Sequence, residues 1–327
     1  MKRTRIMGTG SYLPKQVLRN EDLAEIVETS DEWIRSRTGV LERRIADPDV
    51  ATSDLALPAA QRALEAAGIS PDDLDMILVA TITPDTYCPS AACWLQGQLS
   101  ARRAVAFDLN AACSGFVFGL SVADQYIRSG SARYILFVAA EVMSRTVNWK
   151  DRSTCILWGD GAGAVVLAAS EDDRGVLSTH LHSDGSRGSM LIMTGGGSRA
   201  TPISHQTVEE DRHTIKMQGP DSFKIAVRAF SEVCREALEH NGLRPEDVAL
   251  FVPHQANLRI IDAVAKRLSF PLEKICVTIH KYGNISSATI PIALDEAVRE
   301  KRVREGDKIL MAAFGGGLTW GASTVVW

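Results

Sequence analysis

Residues 108–120 read Asp108-Leu-Asn-Ala-Ala-Cys113-Ser-Gly-Phe-Val-Phe-Gly-Leu120. Residues 104–109 form a short apolar run of strand length, and from Cys113 onward the apolar residues recur at helical spacing. The sequence therefore predicts a strand that turns abruptly into a helix, with Cys113 at the turn. Because a helix N-terminus favours thiolate over thiol, we expect an activated nucleophile there; the alternative is a buried packing cysteine.

The composition is that of an ordinary globular protein with a sizeable core, since 45% of the 327 residues are hydrophobic and 23% are charged. A net charge of -4 argues against a nucleic-acid-binding protein, whose footprint is strongly basic. The six cysteines lack metal-binding spacing and indicate reduced thiols. With no signal-peptide pattern and no run near the ~18 apolar residues of a membrane span, we expect a cytoplasmic protein without a metal.

A helix–turn–strand unit occurs twice in the chain. Residues 62–75 align without gaps with residues 236–249, with six identical positions at an offset of 174. Each copy ends a helix at glycine, turns through proline and enters an apolar strand, at 76–80 and at 250–252. An offset near half the chain predicts two similar α/β halves, which we place at 1–173 and 174–327.

Two polar side chains follow apolar runs of the second half. His254 comes directly after residues 250–252, and Asn284 follows a predicted strand at 275–279. Ligands bind at the carboxyl ends of strands in open α/β sheets, so both are candidates for chemistry. A histidine suits proton or charge work near neutral pH, and Asn284 would be a neutral donor to an oxyanion. The alternative to a functional role is a structural histidine for His254 and an ordinary Gly-Asn turn for Asn284.

Other segments carry weaker signals. The glycines of 313–321 predict either a tight turn or backbone that approaches a ligand closely enough to donate an N–H. Residues 159–164 look like a dinucleotide fingerprint but lead into a strand-like run instead of a helix. The pair His180 and His182 has no third ligand nearby in sequence, so we expect no metal site. Residues 184–213 predict a long irregular loop, and Ser53 is a candidate helix N-cap.

Five cysteines are predicted to be packing residues: Cys88, Cys93, Cys155, Cys234 and Cys276. Cysteine, histidine and asparagine in that order suit two chemistries. A papain-like hydrolase uses such a trio, but its local cysteine signature is absent here. A carbon–carbon condensing enzyme would instead use the cysteine to hold an acyl group as a thioester.

Several motifs, in order along essentially the whole chain, resemble 3-oxoacyl-[acyl-carrier-protein] synthase III, the family of condensing enzymes that initiates bacterial fatty-acid synthesis. The motifs are Thr29-Ser-Asp-Glu-Trp33-Ile-Arg-Ser-Arg37-Thr-Gly, Pro89-Ser-Ala-Ala-Cys93, Asn110-Ala-Ala-Cys113-Ser-Gly-Phe, Asp151-Arg152-Ser-Thr, Gly159-Asp-Gly-Ala-Gly, Val252-Pro-His254-Gln-Ala-Asn257-Leu-Arg259, Tyr282-Gly-Asn284 and Phe314-Gly-Gly-Gly-Leu-Thr-Trp-Gly321.

The resemblance implies a thiolase-like fold: a five-layer α-β-α-β-α sandwich built from two similar halves, usually a homodimer. It implies that an acyl-CoA loads the cysteine, that CoA leaves, and that malonyl-acyl carrier protein decarboxylates and attacks to give a 3-oxoacyl carrier protein. Coenzyme A enters as a thioester substrate, and no further cofactor and no metal is implied.

The resemblance also assigns residues. The catalytic residues are Cys113, His254 and Asn284, and the backbone N–H groups of Cys113 and Gly316 form the oxyanion hole. The CoA-binding residues are Thr29, Trp33, Arg37, Arg152, Gly219, Phe223 and Asn257. The acidic carrier protein docks on Lys224, Arg228, Arg259, Lys266 and Arg267. Cys88 falls where some members carry a large aromatic that shortens the acyl pocket across the dimer interface, so longer or branched primers are expected.

Three alternatives stay open beside this reading. A related enzyme could prime polyketide or other secondary metabolism, or condense CoA thioesters without a carrier protein. A degradative thiolase would need a second catalytic cysteine near the C-terminus, and none occurs after Cys276. A non-catalytic acyl-CoA binding subunit is disfavoured by the joint presence of Cys113, His254 and Asn284.

Overall fold

Two β-sheets form the centre of the structure, a computed structural model that describes residues 3–198 and 202–327, without the side chains of residues 220–222. The strands are β1 (Thr4–Tyr12), β2 (Gln16–Arg19), β3 (Glu42–Ile45), β4 (Met76–Ala80), β5 (Val105–Leu109), β6 (Tyr134–Val142), β7 (Asp160–Ala169), β8 (Gly175–Ser183), β9 (Leu191–Ile192), β10 (Lys216–Met217), β11 (Leu250–Pro253), β12 (Lys308–Gly315) and β13 (Thr319–Val326). The α-helices are α1 (Asn20–Ala24), α2 (Asp31–Thr38), α3 (Thr52–Ala67), α4 (Ala91–Leu99), α5 (Gly115–Arg128), α6 (Arg152–Cys155), α7 (His205–Glu209), α8 (Gly219–His240), α9 (Leu258–Leu268), α10 (Ile279–Tyr282) and α11 (Thr289–Arg299).

The two sheets have matching topology. The first has the strand order β1-β7-β6-β4-β5, in which β4 is parallel to both of its neighbours and β7 is antiparallel to β6 and β1. The second has the order β11-β12-β13-β8, with β11 parallel to β12 and the other pairs antiparallel. Strands β4 and β11 are buried along their length, as their continuous apolar sequence predicts.

The helices and sheets form five layers, which pack together through three hydrophobic clusters. Helices α5 and α11 pack between the two sheets and form the central cluster with the inner faces of both. Helices α3 and α4 cover the outer face of the first sheet, and α8 and α9 cover the outer face of the second. The predicted five-layer α-β-α-β-α sandwich is therefore confirmed.

The repeat extends well beyond the matching stretch of sequence. Strand β11 begins 174 residues after β4, β12 begins 174 residues after β6, and α11 begins 174 residues after α5. The 3-10 turns 112–114 and 286–288 keep the same offset. Both copies of the repeated helix end at glycines in the left-handed region, Gly68 (φ 68°) and Gly242 (φ 63°). The two similar halves are thus visible in the element order, including the turn that carries Cys113.

The predicted strand at 275–279 is wrong. In the described residues the edge of the second sheet beside β11 has a single bridge, Phe251 to Ile275, and the chain then enters α10 at Ile279. The second sheet therefore has no counterpart of β5. The run is apolar because Ile275, Cys276 and Ile279 are buried, and a short buried apolar run does not distinguish strand from other packed backbone.

Smaller predictions also need correction. The segment 184–213 contains a 3-10 helix (Gly185–Met190), β9 paired with β10, and α7, while residues 199–201 of the predicted loop lie outside the described residues. Helix α3 begins at Thr52, so Ser53 is not its N-cap; the Ser53 hydroxyl donates to Asp85 instead. None of the helices in residues 3–198 and 202–327 combines the length and apolarity that a membrane span requires.

The cysteines divide into two groups. Cys155, Cys234 and Cys276 are buried, as predicted for packing residues, whereas Cys88 and Cys93 are exposed, so that prediction is wrong for these two. Cys88 lies in the loop before α4, and Cys93 is in the first turn of that helix, where a surface orientation costs a small side chain little.

Candidate active site

The turn around Cys113 is built as the sequence predicts. Strand β5 ends at Leu109, a 3-10 turn covers residues 112–114, and α5 begins at Gly115. The Asn110 side chain accepts a hydrogen bond from the N–H of Ala112 at 3.2 Å, and Ala112 has a left-handed φ of 47°. A non-glycine residue in this region is strained, which is typical of functional turns. Cys113 is held at the end of the strand with 4% of its surface exposed.

The second half repeats this turn opposite Cys113. The Asn284 side-chain oxygen accepts a hydrogen bond from the N–H of Ser286 at 2.8 Å, and Ser286 also has a φ of 47°. The backbone of Asn284 is tied to residues 157–159, donating to Leu157 and accepting from Gly159. Because its amide oxygen is engaged, Asn284 offers its Nδ2 hydrogens to a ligand. The turns 112–114 and 286–288 are in contact.

His254 lies directly after β11, as predicted, and its N–H donates to the carbonyl of Ala312 at 2.8 Å. The ring is 1% exposed, and its Nδ1 lies 2.6 Å from the Thr289 hydroxyl. Its Nε2 is buried with no hydrogen-bond partner among the described residues. Burial lowers the pKa of His254 to about 3, so the ring is neutral near neutral pH.

The glycine-rich turn 315–318 closes against Cys113. A Cβ on Gly315 would lie 2.8 Å from both the backbone nitrogen and the Cβ of Cys113, so only glycine fits there. The N–H groups of Cys113 and Gly316 both lie close enough to the thiol to favour its charged form. The Ser114 hydroxyl donates to the carbonyl of Thr319 at 3.0 Å and fixes the cysteine turn to the start of β13.

The thiol itself differs from the sequence prediction of an activated thiolate. Burial raises the pKa of Cys113 to about 11, and the nearby carboxyl of Glu141 acts in the same direction. The Ser286 hydroxyl and the N–H groups of Cys113 and Gly316 act against it but are outweighed. Burial destabilises the thiolate by more than the helix N-terminus stabilises it, so Cys113 is a neutral thiol.

Glu141 is a buried carboxyl group behind the thiol, at the end of β6. Its side chain accepts hydrogen bonds from Thr81, Thr83 and Ser287 at 2.8–3.1 Å and from the N–H of Ile82 at 3.0 Å. Burial raises its pKa. Because Ser287 belongs to the second half and the threonines to the first, Glu141 joins the two halves at the site.

A cavity of about 560 Å³ connects this chemistry to the surface. Cys113, His254 and Asn284 line its buried end, and exposed cations line its mouth. Its apolar wall is formed by Ile156, Leu157, Trp158, Leu191, Met217 and Leu318. Of the residues predicted to bind substrate, the described lining includes Trp33, Arg37, Gly219, Phe223, Lys224, Asn257 and Arg259.

At the mouth, Trp33 is flanked by two guanidinium groups. Arg152 lies 4.9 Å and Arg37 5.4 Å from its ring centroid, and Arg152 also donates to the carbonyl of Glu28. A base stacked between Trp33 and Arg152 needs two contacts and therefore about 7 Å between the planes. In this structure Arg152 occupies the face of Trp33, so binding of a base there requires Arg152 to move.

The other residues predicted to bind CoA have varied surroundings. Asn257 is the N-cap of α9, accepting from the N–H of Arg259 at 2.9 Å and donating to the carbonyl of Arg37 at 3.0 Å. The hydroxyl of Thr29 is buried with no partner among the described residues. The guanidinium carbon of Arg259 lies 5.5 Å from the centroid of the Phe223 ring.

The predicted carrier-protein residues lie on two neighbouring helices. Lys224 and Arg228 are exposed on α8, and Arg259 is exposed in the first turn of α9. Lys266 and Arg267 are exposed in the last turn of α9. The structure thus brings the five cations onto one pair of packed helices at and beyond the cavity mouth.

The single chain does not bring Cys88 to the site. It is exposed in the loop before α4 and is not part of the described cavity lining. Its expected role lies across a dimer interface and stays a prediction.

A second histidine cluster lies on the surface. His180 and His182 both contact the carboxylate of Glu236, at 3.1 and 2.6 Å, and His240 lies against His180. Within residues 3–198 and 202–327, no group of histidine, cysteine and acidic side chains is arranged to hold a metal ion.

Sequence reasoning missed Glu141, Ser286 and Thr289. Glu141 carried a usable signal, an acidic residue at the end of a buried apolar strand. Ser286 and Thr289 carried none, because hydroxyl residues after a Gly-Asn turn are ordinary turn residues until their neighbours are known.

Replacing Gly315 with alanine tests the close approach of the turn to Cys113. The added methyl forces apart the cysteine turn and the β12–β13 turn, so we expect acylation of Cys113 to fall about 10- to 100-fold and the free energy of unfolding to fall by about 1–3 kcal/mol. Gly185→Ala is the matched control, because a Cβ there meets no atom within 4 Å. Unchanged acylation in Gly315→Ala would show that the turn is not positioned as described.

The comparisons with known proteins agree on one family. A family model described as 3-oxoacyl-[acyl-carrier-protein (ACP)] synthase III matches residues 107–185, and the model of its C-terminal part matches residues 238–327. A relative from Caldanaerobacter subterraneus subsp. tengcongensis, named beta-ketoacyl-[acyl-carrier-protein] synthase III, is 52% identical over 322 residues, covering 98% of this chain and 97% of that protein.

Two solved structures have folds similar to that of this chain. The 3-oxoacyl-[acyl-carrier-protein] synthase III of Aquifex aeolicus VF5 has a TM-score of 0.91 and 50% identity, covering 99% of this chain and 100% of that chain. The priming beta-ketosynthase of the R1128 polyketide pathway has a TM-score of 0.92 and 36% identity, covering 99% of this chain and 96% of that chain.

Proposed function

The chain belongs to the 3-oxoacyl-[acyl-carrier-protein] synthase III family, and on that premise we propose that it condenses an acyl-CoA primer with malonyl-acyl carrier protein to initiate fatty-acid synthesis. It is an acyltransferase of the condensing type. One observation supports the assignment to this site: the Cys113 thiol, a histidine whose Nε2 has no partner among the described residues and the Asn284 amide line one cavity.

The first half-reaction loads the primer. The sulfur of Cys113 attacks the thioester carbonyl, the bond from that carbonyl to the CoA sulfur breaks, and the proton of Cys113 ends on the departing CoA thiol. Charge develops on the carbonyl oxygen, which the N–H groups of Cys113 and Gly316 stabilise. The proposal is supported by the position of both N–H groups beside the thiol, close to where the carbonyl of an acyl group on Cys113 would lie.

The second half-reaction forms the carbon–carbon bond. The malonyl group loses CO₂, and the electron pair of the broken bond becomes an enolate whose oxygen accepts hydrogen bonds from His254 and Asn284. The enolate carbon attacks the acyl group on Cys113, and the sulfur leaves and takes up a proton. A neutral histidine suits this step, since it donates a hydrogen bond without being a strong acid.

The proposed substrates need no further bound cofactor, because Cys113 carries the acyl group and decarboxylation supplies the carbanion. Trp33, Arg37, Arg152 and the tunnel residues Thr29, Gly219, Phe223 and Asn257 hold CoA in this proposal. Cation–π contact and stacking by Trp33 and Arg152 recognise its base once Arg152 has moved. Six free cysteines fit a reaction in the cytoplasm, where thiols stay reduced.

The fatty-acid pathway is favoured over secondary metabolism by degree of likeness. The relatives named for acyl-carrier-protein synthase III reach 50–53% identity, whereas the polyketide priming enzyme reaches 36%.

A homodimer is part of the proposal. Strand β5 is the outer strand of the first sheet, and an edge strand presents unpaired backbone groups to a partner strand. Val105 on this edge is 60% exposed, and the exposed side chain Trp94 lies on α4, which packs on β5. A second copy pairing here would cover these side chains and receive the Cys88 loop, which leads into α4.

Primer choice tests the proposed function and the role of Cys88 together. Because a cysteine is smaller than an aromatic side chain, we expect acetyl-CoA, isobutyryl-CoA and octanoyl-CoA all to acylate Cys113, as measured by intact mass. Cys88→Phe should retain acetyl transfer and lose octanoyl transfer at least about tenfold. Strict preference for acetyl in the unmodified protein would contradict the roomy pocket, and no acylation by any primer would contradict the proposed function.

Charge reversal on α9 tests the carrier-protein surface. We expect Lys266→Glu with Arg267→Glu to raise the KM for malonyl-acyl carrier protein about tenfold at low salt, because the carrier protein is acidic and the complementary field is lost. Acylation by acetyl-CoA should not change. Arg304→Glu, an exposed arginine outside α8 and α9, is the control. An unchanged KM would remove these two residues from the docking surface.

A further inference from the structure

Thr289 is the buried first residue of α11 and contacts the His254 ring. Its Oγ1 lies 2.6 Å from His254 Nδ1, 3.3 Å from the backbone nitrogen of Gln255 and 3.2 Å from the carbonyl oxygen of Ser286. The N–H of Gln255 donates to this oxygen. The single hydroxyl hydrogen can therefore go to only one of the other two atoms, the imidazole nitrogen or the carbonyl oxygen.

Two arrangements satisfy these contacts: the hydroxyl donates to Nδ1, or a protonated Nδ1 donates to the hydroxyl, which then donates to the Ser286 carbonyl. The Ser286 carbonyl at 3.2 Å is the weaker acceptor of the two, since hydroxyl donors usually lie about 2.5–3.0 Å from an oxygen acceptor. The His254 nitrogen at 2.6 Å is well inside hydrogen-bonding distance. The shorter contact favours the first arrangement, in which Nδ1 carries no proton.

This contact has a consequence at the other side of the ring. A neutral imidazole carries one proton, so with Nδ1 bare the proton is on Nε2. Nε2 is buried and has no partner among the described residues, and His254 lines the cavity beside Cys113 and Asn284. In this arrangement the ring presents an N–H donor to the substrate and no lone pair.

We propose that Thr289 is a positioning residue that holds His254 in the Nε2–H tautomer and so commits it to donating a hydrogen bond to the enolate oxygen. The inference rests on the proposed function and goes beyond it by naming the residue that sets the tautomer. In the opposite tautomer the bare Nε2 would face the negatively charged oxygen and repel it. Thr289 thereby serves the decarboxylation step and not the loading of Cys113.

Thr289→Val and Thr289→Ser separate this role from packing. Valine keeps the shape and removes the hydroxyl, so we expect condensation with malonyl-acyl carrier protein to fall about 10- to 100-fold in kcat, while acylation by acetyl-CoA stays within about twofold. Serine keeps the hydroxyl and should stay within about threefold of the unmodified protein in both half-reactions. Thr9→Val is the matched control, because it removes a buried hydroxyl bonded to Asp295 at 2.7 Å, outside the described cavity lining.

A spectroscopic measurement gives the tautomer directly. In protein labelled with ¹⁵N-histidine, the His254 ring, identified among the seven histidines by its loss in His254→Ala, should show a protonated Nε2 and a bare Nδ1. Thr289→Val should show a mixture of tautomers, and Thr289→Ser should restore the Nε2–H form.

Three outcomes would overturn the inference: a protonated Nδ1 in the unmodified protein, full condensation by Thr289→Val, or equal loss of both half-reactions in Thr289→Val. If the valine variant fails to fold, the tautomer of the unmodified protein and the activity of the serine variant still decide. An unmodified protein that neither acylates nor condenses would instead refute the proposed function.

Discussion

We expect Cys113→Ala to abolish acylation and to lower condensation by at least about 10⁴-fold, because in the proposed reaction no other atom carries the acyl group between the two half-reactions. The measurement is the intact mass of the protein after incubation with acetyl-CoA, followed by assay of the 3-oxoacyl carrier protein. Binding of CoA should persist, since the residues at the cavity mouth are unchanged.

Cys234→Ala is the control for this variant. Cys234 is fully buried in the outer cluster formed by α8 and α9, so its replacement removes a similar thiol from a packed site without touching the cavity. We expect the control to lose a comparable amount of stability and to keep both half-reactions. Appreciable condensation by Cys113→Ala would contradict the covalent route.

His254→Ala separates the two half-reactions. We expect condensation to fall about 10²- to 10³-fold, the usual effect of removing one preorganised oxyanion donor, while some acylation of Cys113 remains. The reason is structural: the free Nε2 faces the cavity, and a ring whose pKa is lowered to about 3 is a poor acceptor for the thiol proton. Release of CO₂ from malonyl-acyl carrier protein and acylation by acetyl-CoA are measured separately.

Asn284→Ala should give the same division, since in the proposed reaction its amide is the second donor to the enolate oxygen. Equal loss of acylation and decarboxylation in His254→Ala would refute the proposed division of labour. It would indicate instead that His254 takes the proton of Cys113 during loading.

Much of the fold could be predicted because its signals are local or repeated. The strand and helix around Cys113 follow from hydrophobic periodicity, and the offset of 174 between residues 62–75 and 236–249 predicts two halves. That offset also relates the Cys113 turn to the turn at Ser287, which the short sequence match did not include. The two turns share their backbone conformation and the asparagine that accepts from it, Asn110 and Asn284, whereas Ser287 stands where the first half has Cys113.

What could not be predicted depends on neighbours brought from far along the chain. The raised pKa of Cys113 is set by enclosure and by Glu141, not by the local helix end that the sequence displays. The contact of the Thr289 hydroxyl with His254 could not be predicted, because it depends on α11 placing the hydroxyl 2.6 Å from the ring. The prediction of a strand at 275–279 was wrong for the same reason. Its apolar residues are explained by burial against surrounding elements and not by pairing with a neighbouring strand.

The most direct test of the central claim follows one acyl group through Cys113. The protein is incubated with acetyl-CoA, freed of CoA, and examined by intact mass and by mapping of the modified residue; malonyl-acyl carrier protein is then added. We predict one acetyl group on Cys113 that disappears as an equal amount of 3-oxobutyryl carrier protein and CO₂ forms. An acetyl group that stays on the enzyme, or that is released only as acetate, would contradict the account.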